Sequence, residues 1–132
     1  MATPLSHLAV PLALSVALGP DQVPPGLLAL ALVVALLPDL DALGLWLGIP
    51  YEHALGHRGF THSLPFAVVM AGAGTLLAPA AGAQPALAFC VLAASAASHG
   101  LLDGMTNGGL GIAFFSPFSS RRHFLPWRVI EV

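Results

Sequence analysis

The sequence contains no lysine and little charge of either sign: four arginines and six acidic residues make up 8% of its 132 positions, against roughly 25% in soluble domains. Ten charged side chains cannot cover a water-soluble fold of this size. Hydrophobic residues reach 57%, and mean hydropathy is +0.86. The shortage of cations removes the basic patch that nucleic-acid binding needs, so no nucleic-acid partner is expected. One cysteine, Cys90, excludes an intrachain disulfide framework; in its apolar run it reads as a small buried hydrophobe. Disorder, collagen and coiled coil are excluded by the same composition. What remains is an all-α integral membrane protein, with residues 1–132 forming a single membrane-embedded domain.

The chain divides at its charges. Residues 1–20 and 22–38 are uncharged, and so are the 44 residues from 59 to 102. A helix that crosses the hydrocarbon layer needs about 20 residues, so the longest stretch holds two crossings. Pro79, Gly82, Gln84 and Pro85 mark the turn between them. The expected helices are 4–18, 24–37, 63–80 and 85–103, four transmembrane crossings in an up-and-down order. A signal peptide at 1–18 would need a positive n-region, which is absent. Residues 42–50, ALGLWLGIP, are too short to span and suit an interfacial helix carrying Trp46.

In this topology the polar residues gather at one interface. His7 opens the first crossing; Asp39 and Asp41 close the second; His57 and His62 precede the third; His99 and Asp103 end the fourth. Polar groups at membrane depth are costly, and seven potential ligands from separate segments on one side argue for a divalent metal. His99 and Asp103, at i and i+4, share a helix face, whereas His57 and His62 do not. One of the latter pair belongs in a turn at Gly59, with Thr61 or Ser63 capping the third helix and Pro65 in its first turn. The competing reading of Asp103 is a helix-end cap. A His and carboxylate set without cysteine favours zinc, with manganese and iron as alternatives; seven ligands exceed one tetrahedral ion's needs and allow a two-metal site.

His7, PDLD at 38–41, GHRGFTHSL at 56–64, SHGLLDGMTNGG at 98–109 and SPFSSRR at 116–122 together resemble an inner-membrane metal-dependent hydrolase family described as LexA-regulated, or YdjM-like. The resemblance covers nearly the whole chain, and HRGFTHS is its specific part. That family is grouped by distant similarity with zinc-dependent phospholipases C and related zinc nucleases. The resemblance implies phosphoester hydrolysis, one to three zinc ions, and a phospholipid or other phosphoester substrate at the membrane. It places His7, Asp39, Asp41, His57, His62, His99 and Asp103 at the family's polar motif positions. Relatives continue with another apolar segment beyond the point matching Val132, so a C-terminally truncated domain is an expectation as well.

In this reading Asp39 or Asp41 is the general base, and Arg58 forks onto an anionic phosphate or anchors to a headgroup. Arg121, Arg122 and His123 read as a lipid-phosphate anchor, Glu52 and His53 as solvated, and Trp127 as part of the aromatic belt. The rival readings are a divalent-cation transporter, whose ligands belong near the bilayer midplane, and a non-catalytic metal-binding protein with closed coordination. All four arginines fall on the side of the polar cluster. That bias places both termini and the cluster in the cytoplasm.

Overall fold

A computed structural model describes residues 3–132. It is all-helical, and no strand occurs among the described residues: α1 (Pro4–His7), α2 (Ala9–Leu18), α3 (Pro25–Leu36), α4 (Leu43–Trp46), α5 (Leu64–Thr75) and α6 (Pro85–Gly104), with 3-10 turns at Leu37–Ala42 and Phe60–His62. Counted with the turn and α4, Pro25–Trp46 is 22 residues long and apolar enough to span a membrane; so is the 20-residue α6. Pro4–Leu18 and Leu64–Thr75 are apolar but shorter.

Prolines set the interruptions. The first apolar stretch is not one continuous helix. Pro11 lacks an N–H and its ring crowds the carbonyl four residues back, which is that of His7, where α1 ends. Pro38 opens the tight turn in the same way, so Asp39 and Asp41 sit on a 3-10 segment inside an otherwise continuous span. The expected interfacial helix over 42–50 shrinks to α4, the end of this span, with Trp46 89% exposed. The third helix stops at Thr75 rather than 80, and a run of turns connects it to α6. Ser63 caps α5 by accepting from the Phe66 N–H, as its spacing before Pro65 suggests.

Helix α6 is the centre of the molecule, packed against α5, α3, α2 and α1. The shared core is made largely of small residues: Ala31 and Ala35 of α3, Ala67 and Ala71 of α5, Ala88 and Ala96 of α6, with Leu27 and Leu92 filling between them. Such residues let helix backbones approach closely, which is where helix association in lipid finds its packing energy. Cys90 departs from its expected burial: it lies exposed on the outer face of α6. Beyond α6 the chain runs without regular structure back over the end of the bundle, held by a parallel bridge of Thr106 with Ile130 and an antiparallel bridge of Ile112 with His123.

Candidate metal centre

The ends of α1, α3 and α6 meet the 51–63 loop at one place, and there the polar residues converge. His7 stacks on His99 with ring centroids 3.7 Å apart. Its Nε2 is 3.8 Å from Asp103 Oδ1. His99 and Asp103 project from one face of α6 as their spacing requires, both fully buried. Two groups could hold an ion: His7, Asp39, His99 and Asp103, and Asp39, His57 and His62, each with ligand atoms within 4.8 Å of one another. Asp39 belongs to both. Tetrahedral zinc ligands at about 2.0–2.2 Å stand roughly 3.3–3.6 Å apart, so the widest pairs of each group must close by about 1 Å around an ion.

The hydrogen bonds around the cluster turn bare lone pairs inward. His99 Nδ1 is 2.7 Å from the Ala35 carbonyl, which can only accept, so the proton is assigned to Nδ1. Its Nε2 then faces His62 Nε2 at 3.1 Å and Asp39 Oδ1 at 3.3 Å. His62 Nδ1 is 3.1 Å from Asp41 Oδ2, which fixes its proton outward in the same way. His62 Nε2 also lies 3.5 Å from Asp103 Oδ2, so the facing nitrogens are satisfied either by a proton on His62 or by a cation held among these groups.

Unmet hydrogen-bonding groups make the same point. His7 Nδ1 and Nε2, Asp39 Oδ1 and Oδ2, His57 Nε2 and Arg58 Nη2 are buried without a hydrogen-bond partner. At roughly 1–3 kcal/mol each, six such atoms rival the whole net stability of a domain, about 5–15 kcal/mol. With neutral histidines, Asp39, Asp41 and Asp103 against Arg58 leave two negative charges, which suits a divalent cation. His62, in the loop, carries opposed influences: burial disfavours its imidazolium, but hydrogen bonding with Asp103 and Asp41 outweighs burial and raises its pKa above the ordinary value.

Asp41 is placed outside both ligand groups. One oxygen lies 2.6 Å from His57 Nδ1, and the other accepts from the Arg58 N–H and the Thr61 hydroxyl. It stands behind His57, leaving His57 Nε2 turned inward, in the carboxylate–histidine arrangement that orients metal ligands. Of the two candidate caps, Ser63 takes that place and Thr61 is part of this support. The carboxylate of Asp103 accepts from Arg58 Nε at 3.0 Å. Loss of such an outer partner costs about 10- to 100-fold in metal affinity. Asp41→Asn is therefore expected to weaken binding by that factor while the protein stays folded, as read by competition with a fluorescent chelator.

Arg58 is 1% exposed, which removes the headgroup-anchor reading. Nε holds Asp103 Oδ2, Nη1 donates to the Gly108 carbonyl at 2.7 Å, and Nη2 is left over. Its backbone is left-handed, φ 63°, a conformation costly for a side chain of this size and met mostly at functional sites. Arg122 is no lipid anchor either: its guanidinium is spent on backbone carbonyls of the 51–57 loop. Arg121, Glu52, His53 and Trp127 are exposed. The Ala35 carbonyl and Gly100 were not legible as site residues. A Cβ at Gly100 would lie 2.4 Å from the His62 carbonyl oxygen, so only glycine lets α6 seat that loop.

Fold and site together define a helical membrane protein with a buried His and Asp cluster that could hold a metal ion. Comparison with known proteins agrees with the membrane assignment. The family described as YdjM inner membrane protein matches residues 1–132, and the chain belongs to that family. It is 42% identical over 137 residues to inner membrane protein YbcI of Escherichia coli (strain K12), an alignment covering 100% of this chain and 77% of that protein. No solved structure matches it. The protein is accordingly one of the inner membrane.

Proposed function

We propose that this protein is a membrane-bound metal-dependent hydrolase acting on phosphoester bonds of a lipid or other anionic substrate, with zinc shared between two ligand groups through Asp39. The observation that carries the reading is the convergence of unpartnered His7, Asp39 and His57 atoms on facing His62 and His99 nitrogens. Divalent ions bound there supply polarisation of a phosphoryl oxygen and a water of pKa lowered toward about 7.

The chain's own residues divide the remaining work. Arg58 presents Nη2 along the same edge of its planar fork as Nε, beside Asp103, and this donor holds an anionic oxygen of the substrate. Asp41, whose oxygens already accept from His57, Thr61 and the Arg58 N–H, orients ligands rather than taking a proton. Asp39 makes no well-formed hydrogen bond, although His99 Nε2 stands 3.3 Å from Oδ1, so of the two carboxylates it is the one more open to ligation. The distant similarity to zinc-dependent phospholipases C belongs to this reading. A transport pathway is less well supported, because His7, His99 and Asp103 sit at the ends of α1 and α6.

The test is metal analysis of the purified protein, followed by assay of phosphomonoester, phosphodiester and carboxylic ester substrates with and without chelator. Zinc-dependent turnover of a phosphoester is the expected result; metal-independent turnover, or none on any of the three classes with metal bound, would remove the hydrolase reading.

The same proposal extends to topology: Pro4–Leu18, Pro25–Trp46, the α5 segment and α6 cross in up-and-down order, with the metal centre toward the cytoplasm. Single cysteines at Ser6, Gln84 and Ser119 in a Cys90→Ala background are expected to be labelled from outside at Gln84 alone. Outside labelling at Ser119 would place the centre on the other side.

A further inference from the structure

The two ligand groups are held by different means. His99 and Asp103 ride on α6 and His7 on α1, whereas His57 lies in a loop with no helix to fix it. Asp41 holds the His57 ring, and the backbone carbonyls of the loop are held by Arg122. Its Nη1 donates to the His57 carbonyl at 3.0 Å and to Gly111 at 3.4 Å; its Nη2 donates to Tyr51 at 2.7 Å and His53 at 3.3 Å. The guanidinium carbon also lies 5.3 Å from the Tyr51 ring centroid. The base of this clasp is itself secured, because the next residue, His123, exchanges two 2.8 Å backbone hydrogen bonds with Ile112. The Ala113 N–H, one step further, donates to the Arg58 carbonyl at 3.2 Å. Irregular backbone has no ladder of its own, and its carbonyls need partners when removed from water. One planar fork supplies four.

We infer that Arg122 is a positioning residue for the metal centre: it sets His57, and with it the Asp39–His57–His62 group, while the helix-borne His7–Asp39–His99–Asp103 group does not depend on it. This rests on the two-ion reading proposed above. A role in general stability would affect both groups alike; a positioning role affects one. Lysine keeps the charge but cannot reach four carbonyls in a plane.

Cobalt(II) titration of the full-length protein in detergent, followed by visible absorption, reads the two sites separately. The wild type is expected to bind two equivalents. Arg122→Gln should retain one at wild-type affinity and weaken the other by about 10- to 100-fold, the range for loss of an outer-shell partner, and Arg122→Lys should recover part of that loss. Two unweakened equivalents in Arg122→Gln would overturn the inference while leaving the metal centre standing. Parallel weakening of both, in Gln and Lys variants alike, would assign Arg122 to stability alone. A wild-type protein that takes up no cobalt would overturn the metal centre and the inference together.

Discussion

Asp39→Ala is expected to abolish binding at both ion positions at once, a larger effect than any other single ligand change. Its carboxylate is the member common to both ligand groups. Removal of another ligand leaves one group whole, and removal of an outer partner such as Asp41 costs about 10- to 100-fold; loss of the shared ligand should exceed that at both positions. The stability consequence separates this account from an ordinary buried ion network. Both Asp39 oxygens lack hydrogen bonds, so in chelator the alanine variant should melt at or above the wild-type temperature. With metal at 100 times its Kd the wild type should gain about 2.7 kcal/mol, and the variant nothing. Thermal melting with and without zinc measures both. A variant that is strongly destabilised in chelator would instead show Asp39 to be a structural ion-pair partner.

Gly100→Ala is the second large effect expected, and it needs no metal to be seen. A methyl there meets the His62 carbonyl oxygen at 2.4 Å, and this is backbone that cannot swing aside. Either α6 or the ligand loop must retreat, at about the 1–3 kcal/mol typical of overpacking. His62 would be displaced from Asp41 and His99 in the process, so metal affinity should fall together with melting temperature. Gly72→Ala is the matched control. It makes the same chemical change inside α5, but nothing lies within 4 Å of the added carbon; because alanine is the better helix former, by up to about 1 kcal/mol, it should melt at the same temperature or slightly higher. Equal behaviour of the two variants would contradict the close approach of α6 to the loop.

The difference between these glycines shows where reading the sequence stops. Charge spacing is enough to divide the chain, because a charge inside a membrane span is expensive; that fixes α6 to within a residue and brings seven polar residues to one end. Spacing on a helix is enough to pair His99 with Asp103. It does not separate ligand from supporter in PDLD. Asp39 and Asp41 look equivalent in sequence, and only the tight turn opened by Pro38 sends one into the cluster and the other behind His57. Arg58 and Arg122 are likewise both arginines at a membrane edge. What buries one on Asp103 and spends the other on carbonyls is the return of the 105–132 segment over the bundle, and an irregular segment has no period from which its contacts could be read. His7 joins the site because Pro11 breaks its helix there, a signal present in the sequence but expected only as part of a longer helix.

The central question is whether metal occupies the two ligand groups that meet at Asp39. Anomalous diffraction at the zinc edge from crystals of the wild-type protein grown with zinc measures this directly. Two peaks are predicted, one among His7, Asp39, His99 and Asp103 and one among Asp39, His57 and His62, with Asp39 touching both and Asp41 touching neither. No peak within ligand distance of Asp39, in crystals whose density shows these side chains clearly, would contradict it.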